Sequence, residues 1–343
     1  MTLSPRVLLL LGKALLLALP PLGLAVSYVV ADPFWVLYHY PHFSGTLLTV
    51  PNRDYISTQM YLNNNPQRRY RSFIFGDSRT MAFRVRDWAA YTGDPASFHF
   101  DASSESLYGV WKKLAFLEQR GVLLRHVLLV VDPYLLRQTQ DIHSHLMRKD
   151  PRVTGEWPVG FQLTFFKAYL TNHFYVKYWK RRLTGRYTPD MATMLEGRRV
   201  CYDPVTNDLG LPDAEAEIRS DSVGYYARRI FPARPARPVV SPAVIGAAQE
   251  AQLRAVQGIL RRSGASYRIV ISPVYTQEAM HSADVAVLKH MFGAQFVYDF
   301  SGINRYTQPL GNHYEEYHFR PLVGRQLLKI IYAEDSATYH LAP

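Results

Sequence analysis

A short apolar run that ends in Gly-Asp-Ser-Arg is the stretch of the sequence best suited to chemistry. Residues 73–75 are typical of a buried strand, and Gly76 permits a sharp turn directly after it. A serine at the carboxyl end of such a strand lies where open α/β sheets place their functional groups. Ser78 is therefore a candidate nucleophile, and free N–H groups of a following helix would stabilise an oxyanion. The alternative is that Asp77 or Ser78 only caps that helix.

A second polar stretch, near the carboxyl end, supplies the partners that a nucleophilic serine needs. Glu315 stands three residues before His318, so on a turn both side chains lie on one face. A carboxylate in that position holds an imidazole in the tautomer that accepts a proton from a serine. Glu316 is also acidic, which leaves the identity of the carboxylate open by one residue. The spacing to His318 favours Glu315.

Together the two stretches resemble the SGNH/GDSL hydrolase superfamily, which has an early Gly-Asp-Ser block and a late Asp-x-x-His block before its last helix. The sequence is most similar to the membrane-anchored, extracytoplasmic branch that includes the alginate O-acetylation and D-alanyl-transfer proteins of bacteria, over most of residues 73–331. By this resemblance Ser78 is the nucleophile, His318 the general base and Glu315 the orienting carboxylate. Glu315 departs from the family pattern, which has Asp at this position.

Apolar strands and helical segments alternate along the chain, which predicts an α/β fold with a mostly parallel sheet. Beyond the first strand, strands are predicted at residues 98–100, 126–131, 267–274 and 295–300, and helices at residues 107–120, 241–263, 285–292 and 322–332. The strand at 126–131 is almost entirely apolar, as expected of a parallel strand buried on both faces. The resemblance adds that the domain has three α/β/α layers.

The loops after the second and third strands bear on the oxyanion hole. In the superfamily the first of these loops supplies a backbone N–H group, and Ser103 and Ser104 stand at about that place, although a helix cap is an equal alternative for them. After the third strand the hydrolases have a Gly-x-Asn block whose Asn donates to the oxyanion. Asp132 occupies that position here, and an ionised Asp cannot donate a hydrogen bond. Arg79 is then the candidate cationic donor that compensates.

Asp77 beside the nucleophile, and Tyr275 after the fourth strand, are the remaining candidates for oxyanion or substrate binding. No cofactor is indicated, and the proposed chemistry needs no metal. His143 and His145 are spaced like metal ligands, but no carboxylate or cysteine pattern supports a site there. The only cysteine, Cys201, excludes an internal disulfide and a Cys-rich zinc site.

The amino-terminal segment predicts a membrane anchor. Residues 7–30 are apolar apart from Lys13 and a few small or turn-forming residues, and they are long enough to cross a bilayer. Arg6 and Lys13 place the amino terminus in the cytoplasm by the positive-inside rule. The aromatic residues at 34–40 predict an interfacial belt. A cleaved signal peptide is the alternative, and the length of the span favours an uncleaved anchor.

The chain divides into five predicted segments. They are the anchor at residues 1–31, a lead-in segment at 32–70, the first half of the sheet domain at 71–137, an aromatic and basic insertion at 138–240, and the second half of the domain at 241–343. The insertion is interpreted either as helices packed on the domain or as a surface at the membrane. The formal net charge of +11 suits phospholipid headgroups, acidic polysaccharide or nucleic acid. Export of the domain argues against nucleic acid.

The resemblance implies an extracytoplasmic serine-dependent O-acyltransferase, with acetyl the expected acyl group, that modifies a cell-envelope glycan or exopolysaccharide through an acyl-serine intermediate. It implies a single-pass protein of the inner membrane with a periplasmic domain, and a membrane-bound O-acyltransferase as partner. Two alternatives stay open, an SGNH esterase or deacetylase and a catalytically silent scaffold for the membrane enzyme. The replacement at Asp132 argues against an efficient hydrolase.

Overall fold

The structure is a computed structural model that describes residues 4–195, 201–228 and 231–333. The chain forms two compact units. The helical unit comprises Met1–Tyr40, Thr46–Pro51 and Trp157–Arg198. The sheet unit comprises Pro41–Gly45, Asn52–Glu156 and Arg199–Pro343. The predicted insertion is therefore divided, with its aromatic middle part in the helical unit and its first and last parts in the sheet unit.

Seven strands lie in the described part of the sheet unit. They are β1 (Ser72–Phe75), β2 (Ser97–His99), β3 (His126–Val131), β4 (Cys201–Tyr202), β5 (Leu209–Gly210), β6 (Ser266–Ile271) and β7 (Val297–Asp299). Five of them form one sheet in the order β2-β1-β3-β6-β7, in which all neighbouring strands run parallel. The predicted α/β class and mostly parallel sheet are confirmed. Strand β6 ends before its predicted limit, because Pro273 has no N–H to continue the ladder.

The described residues also form thirteen α-helices. They are α1 (Pro5–Ala31), α2 (Arg53–Arg68), α3 (Val85–Thr92), α4 (Leu107–Gln119), α5 (Pro133–Arg137), α6 (Pro151–Thr154), α7 (Pro158–Leu170), α8 (Phe174–Thr184), α9 (Pro212–Ser220), α10 (Ser222–Ala227), α11 (Ala247–Arg262), α12 (Ser282–Phe292) and α13 (Pro321–Ile331). Helix α11 starts later than predicted. The N–H groups of Val244 and Ile245 donate to the carboxylate of Asp284 at 2.8 and 3.1 Å, and this holds the preceding segment outside the helix.

Both faces of the sheet are covered. Successive residues of a strand point to opposite faces, and in β1 Ile74 packs with Trp88 of α3 and Val323 of α13. Its neighbour Phe73 instead lies against Tyr61 of α2, with ring centroids 6.0 Å apart. This arrangement buries the strands on both sides, as is usual for parallel sheets.

The strand order reverses at one position along the sheet, between β1 and β3. β2 lies on one side of β1, and β3 lies on the other. The carboxyl ends of β1 and β3 are therefore neighbours at the point where the strand order reverses, and open α/β sheets bind ligands at such a point. The segments that begin at Gly76 and Asp132 both leave the sheet here.

Four charged side chains of the sheet unit form a buried ion cluster, which consists of Asp54, Glu105, Lys113 and Lys149. The Lys113 ammonium lies 2.9 Å from Asp54 and 2.7 Å from Glu105, and the Lys149 ammonium lies 3.2 and 2.5 Å from the same carboxylates. All four side chains are almost completely enclosed. Burial alone would raise the pKa of Asp54, but the two lysines outweigh it and lower that pKa. The cluster is thus balanced, with two charges of each sign.

Helix α1 is the longest element of the helical unit. It has 27 residues and includes Pro20 and Pro21. Its most apolar stretch has a mean hydropathy of 2.1, and the helix is long and apolar enough to cross a membrane. The predicted amino-terminal apolar helix is therefore present. Helices α7 and α8 belong to the same unit.

Candidate active site

The turn after β1 requires glycine. Gly76 has φ +142°, and a Cβ atom at this position would lie 2.5 Å from the Val130 carbonyl oxygen. A 3₁₀ helix begins directly after the turn, at Ser78–Ala82, and the Asp77 carboxylate accepts from the Arg79 N–H at 2.9 Å. Asp77 is therefore the cap of this helix. The Ser78 hydroxyl is left for another partner.

That partner is His318. Its Nε2 atom lies 2.7 Å from the Ser78 Oγ atom, and its Nδ1 atom forms a hydrogen bond with the Glu315 carboxylate. When Nδ1 donates to a carboxylate, Nε2 carries the lone pair that can accept the serine proton. Ser78 is far from Glu315 and His318 in the sequence, but the three side chains form one continuous relay of hydrogen bonds.

The carboxylate of this relay is Glu315 rather than its neighbour. One oxygen of Glu315 bonds His318, and the other accepts from the Tyr317 N–H at 2.8 Å. Glu316 interacts with the Tyr317 hydroxyl and, together with Glu315, raises the pKa of that phenol. The relay is partly open to solvent, with His318 23% and Glu315 32% exposed.

Residues 313–319 form the histidine loop, a narrow turn closed by backbone contacts. His313 and Phe319 make an antiparallel bridge, and the Tyr314 N–H donates to the His318 carbonyl at 2.9 Å. The Arg320 N–H donates to the Asn312 carbonyl at 2.8 Å. The short turn brings Glu315 and His318 onto one side, as their spacing predicts.

Helices α9 and α10 support the histidine loop. Glu215 accepts from the Tyr314 hydroxyl at 2.7 Å and from the Arg320 guanidinium at 2.8 Å, and the Tyr225 hydroxyl donates to the Tyr314 carbonyl at 3.0 Å. Burial would raise the pKa of Glu215, but the bonds from Arg320 and Tyr314 lower it. The sequence does not predict this support, because these contacts join segments about one hundred residues apart that carry no motif.

The serine and histidine segments are also joined directly. A Cβ atom on Gly324 of α13 would collide with the Ala82 carbonyl oxygen, so α13 lies with its backbone against the 3₁₀ helix. Phe83 and Phe319 pack edge to face, with centroids 5.9 Å apart. These contacts fix the distance between Ser78 and the histidine loop.

Arg79 lies between two carboxylates. Its Nη1 atom is 2.6 Å from an Asp77 oxygen and also bonds Asp132. Asp132 in addition caps α5, because its other oxygen accepts from the Leu135 N–H at 2.8 Å. Asp132 thus acts only as an acceptor here, as expected of an ionised Asp. The Arg79 Nε atom is buried without a hydrogen-bond partner among the described residues, so its N–H group is still able to donate.

Ser103 and Ser104 lie in the turn between β2 and α4, where Ser104 has φ +48°. The Ala102 N–H donates to the Gly76 carbonyl at 3.2 Å, which places the start of this turn beside the nucleophile turn. The alternative that either serine caps α4 is wrong. Ser106 is the cap, and its hydroxyl accepts from the Gly109 N–H at 3.0 Å.

Tyr275 is buried beside the beginning of the histidine loop. Its ring packs edge to face on His313, with centroids 5.5 Å apart, and the Arg234 guanidinium lies 4.2 Å above it. Burial, followed by the nearby Arg234 charge, lowers the pKa of His313 to about 4. These contacts indicate that Tyr275 supports the loop.

A possible cation-binding group lies in the segment after α5. Asp141, His143 and Glu156 have ligand atoms that all lie within 4.8 Å of one another. No carboxylate pattern typical of a metal site lies beside His143 in the sequence, and only the fold brings the two carboxylates to it. Burial raises the pKa of Asp141 to about 6. Glu156 already accepts from Arg148 at 2.9 Å, and the relay needs no metal.

The functional assignment rests on the geometry of the site. The described residues contain a serine, a histidine and a carboxylate in hydrogen-bonded sequence at the switch point of a parallel sheet. This is the arrangement of groups used in nucleophilic acyl chemistry. Comparisons of the chain with family models, with curated proteins and with solved structures give no match.

Proposed function

We propose that this protein is an extracytoplasmic serine-dependent O-acyltransferase with an SGNH-like three-layer α/β/α domain. The observation that carries the proposal is the relay from Glu315 through His318 to Ser78. A serine hydroxyl is a weak nucleophile unless an adjacent base removes its proton. The 2.7 Å contact with the His318 Nε2 atom supplies that base.

The reaction has two balanced steps. Ser78 Oγ attacks the carbonyl carbon of an acyl donor while His318 takes the hydroxyl proton. The tetrahedral intermediate collapses, the leaving group departs with that proton, and the acyl group remains on Ser78 as an ester. A glycan hydroxyl then attacks this ester after His318 removes its proton, and His318 returns the proton to Ser78. Glu315 stabilises the imidazolium in both steps.

Arg79 is the proposed source of oxyanion stabilisation. Its guanidinium follows the nucleophile directly and has a buried Nε–H group without a partner among the described residues. The backbone N–H groups of Arg79 and Thr80 are already bonded to Asp77. The 3₁₀ helix itself therefore offers fewer free donors than a bare helix terminus would.

The resemblance to envelope-modifying proteins guides the proposed setting. Helix α1 would anchor a single-pass protein in the inner membrane, with Arg6 on the cytoplasmic side and the sheet unit in the periplasm. The acceptor would be a cell-envelope or exopolysaccharide glycan, and acetyl the transferred group. A membrane-bound O-acyltransferase is the proposed partner that delivers the acyl group.

An active-site-directed fluorophosphonate tests the nucleophile. The purified full chain should be labelled, and Ser78→Ala should abolish labelling, because the probe reacts only with an activated serine. Ser220→Ala is the matched control, since Ser220 is an exposed serine on α9, and its labelling should equal that of the parent. A parent chain that is folded but unlabelled would overturn the proposal in favour of the silent scaffold, which the acceptor-only Asp132 also favours.

An esterase is the second candidate, because the same relay would activate water as readily as a sugar hydroxyl. The two functions differ in the acyl acceptor. The acyl-enzyme should be formed with a chromogenic ester and then divided between water and an oligosaccharide. Acyl groups recovered mainly on the sugar support the transferase, and release that is indifferent to added sugar supports the esterase.

A further inference from the structure

Helix α7 has two apolar faces. Phe161, Phe165 and Tyr169 are buried within the helical unit at helical spacing. The opposite side carries exposed apolar residues, which together with the residue before the helix form the α7 stripe: Trp157 (75% exposed), Val159 (44%), Leu163 (59%) and Leu170 (39%). A row of exposed apolar residues marks a surface that contacts another protein or a membrane.

The buried face of α7 is joined to the last turns of α1. Tyr28 packs against Phe166 and Tyr169, with ring centroids 5.3 and 5.4 Å apart. The Ser27 and Tyr169 hydroxyls are 2.8 Å apart. The α7 stripe is therefore held beside the carboxyl-terminal end of the helix that is apolar enough to cross a membrane.

The length of α1 determines the depth in the bilayer at which these contacts would lie. A helix of 27 residues is about 40 Å long, whereas the hydrocarbon core of a bilayer is about 30 Å thick. If the apolar amino-terminal part of α1 fills the core, its last turns reach the headgroup layer. The contacts at Ser27 and Tyr28 then place α7 at the same level.

The positive charge of residues 157–195 also suits the headgroup layer of the bilayer. Residues 157–195 contain one acidic residue, Asp190, and six basic residues: Lys167, Lys177, Lys180, Arg181, Arg182 and Arg186. Basic residues next to an exposed apolar helix are typical of segments that lie in the interface of anionic membranes.

We propose that α7 lies in the interfacial layer of the bilayer, with the α7 stripe in contact with lipid and the basic residues facing anionic headgroups. This inference rests on the part of the proposed function in which α1 spans the membrane. The occupant is lipid, because the stripe lies on a helix that packs against the proposed membrane-spanning helix, and the segment that contains it is rich in basic residues. The protein would then be held to the membrane by two elements, one spanning and one interfacial.

Single labelled cysteines in the full chain, reconstituted in nanodiscs that contain phosphatidylglycerol, test the proposal. In a Cys201→Ser background, an environment-sensitive fluorophore is attached at Leu163→Cys on the stripe, at Leu15→Cys on α1 and at Val223→Cys on α10. All three parent residues are exposed apolar residues. Doxyl-labelled phosphatidylcholine should quench the probes at 163 and 15 by about twofold or more, while aqueous iodide should quench the probe at 223.

The labels separate the possible failures. If the probe at 163 behaves like that at 223 while the probe at 15 is quenched by lipid, the interfacial helix is refuted and the anchor stands. If the probe at 15 also escapes lipid quenching, the anchor itself fails. A probe at 163 that is shielded only in native membranes, and not in nanodiscs, would show a protein occupant and overturn the proposal. Lipid quenching at 163 that is unchanged without phosphatidylglycerol would refute the role of anionic headgroups.

Discussion

At the scale of single residues, helix capping and nucleophilic attack are assigned to different side chains, although the sequence allows either Asp77 or Ser78 to be the cap. Asp77 caps the 3₁₀ helix, which frees the Ser78 hydroxyl for His318. Glu315 is one methylene longer than the Asp of the resembled pattern, and the Tyr317 N–H holds its second oxygen at 2.8 Å. This second bond restricts the longer side chain to one orientation, so the extra methylene need not loosen the relay.

Glu315→Gln should lower the rate constant of fluorophosphonate labelling by about 10²–10⁴-fold. The amide keeps the size of the side chain but removes the charge that stabilises the imidazolium and fixes its tautomer. Labelling time courses at a single pH measure the effect. Glu316→Gln is the matched control and should change the rate little, since Glu316 interacts with Tyr317. Equal losses in both variants would contradict the assignment of Glu315.

At the scale of elements, the site depends on how α13 meets the 3₁₀ helix. Gly324 lets the two backbones touch at Ala82, and α13 begins directly after the histidine loop. The separation of Ser78 and His318 is thus set by a contact between elements. Helices α9 and α10 hold the same loop from its other side through Glu215 and Tyr225.

Gly324→Ala should separate α13 from the 3₁₀ helix, because the added methyl group collides with backbone that has no alternative rotamer. The expected cost is about 1–3 kcal/mol in the free energy of unfolding, together with a large loss of labelling. Urea unfolding and labelling of the folded fraction measure the two effects. Gly311→Ala is the control, since a Cβ atom there meets nothing within 4 Å. Normal labelling in Gly324→Ala would show that this contact does not set the geometry of the relay.

At the scale of the whole molecule, acid should weaken the fold. The chain already has a formal net charge of +11, and twelve histidines add to it as the pH falls. His313 adds a specific effect, because burial, helped by Arg234, lowers its pKa from 6.5 to about 4 in the folded protein. Between these values the unfolded chain binds a proton that the folded chain does not, so the free energy of unfolding falls as the pH falls.

His313→Gln should remove that part of the pH dependence. The contribution of His313, about 3 kcal/mol, is fully present above pH 6.5 and is lost as the pH falls to about 4. The difference in the free energy of unfolding between pH 7.5 and pH 4.5, measured with urea, should therefore be smaller in the variant. His290→Gln, at an exposed position on α12, should keep the parent difference. An unchanged difference in His313→Gln would contradict the buried neutral state.

The sequence predicted what depends on local pattern. Apolar runs located the five strands of the parallel sheet, and the spacing of Glu315 and His318 placed both on one turn. Contacts between segments that are distant in the sequence produce no local pattern of residue types from which they could be predicted. The meeting of Gly324 with Ala82 and the support of Tyr314 by Glu215 depend on tertiary packing, as does the approach of Asp141 to Glu156.

Helix caps show a finer limit of prediction from sequence. Three serines stand within four residues before α4, and any of them satisfies the preference for a hydroxyl at the cap. The backbone geometry selects Ser106, while Ser104 takes φ +48° in the turn. Residue type alone does not distinguish these positions.

The buried ion cluster has a consequence for how the sheet unit assembles. Its charges come from α2, from α4 with the residues just before it, and from the segment before α6. The α4 segment supplies one charge of each sign, so Asp54 of α2 and Lys149 before α6 balance each other. An intermediate that lacks only α2, or only the segment before α6, would leave one charge without a counter-ion in an apolar interior, at a cost of several kcal/mol. Forms that contain only one of these two segments are therefore disfavoured, and both are expected to join the sheet unit in one cooperative step.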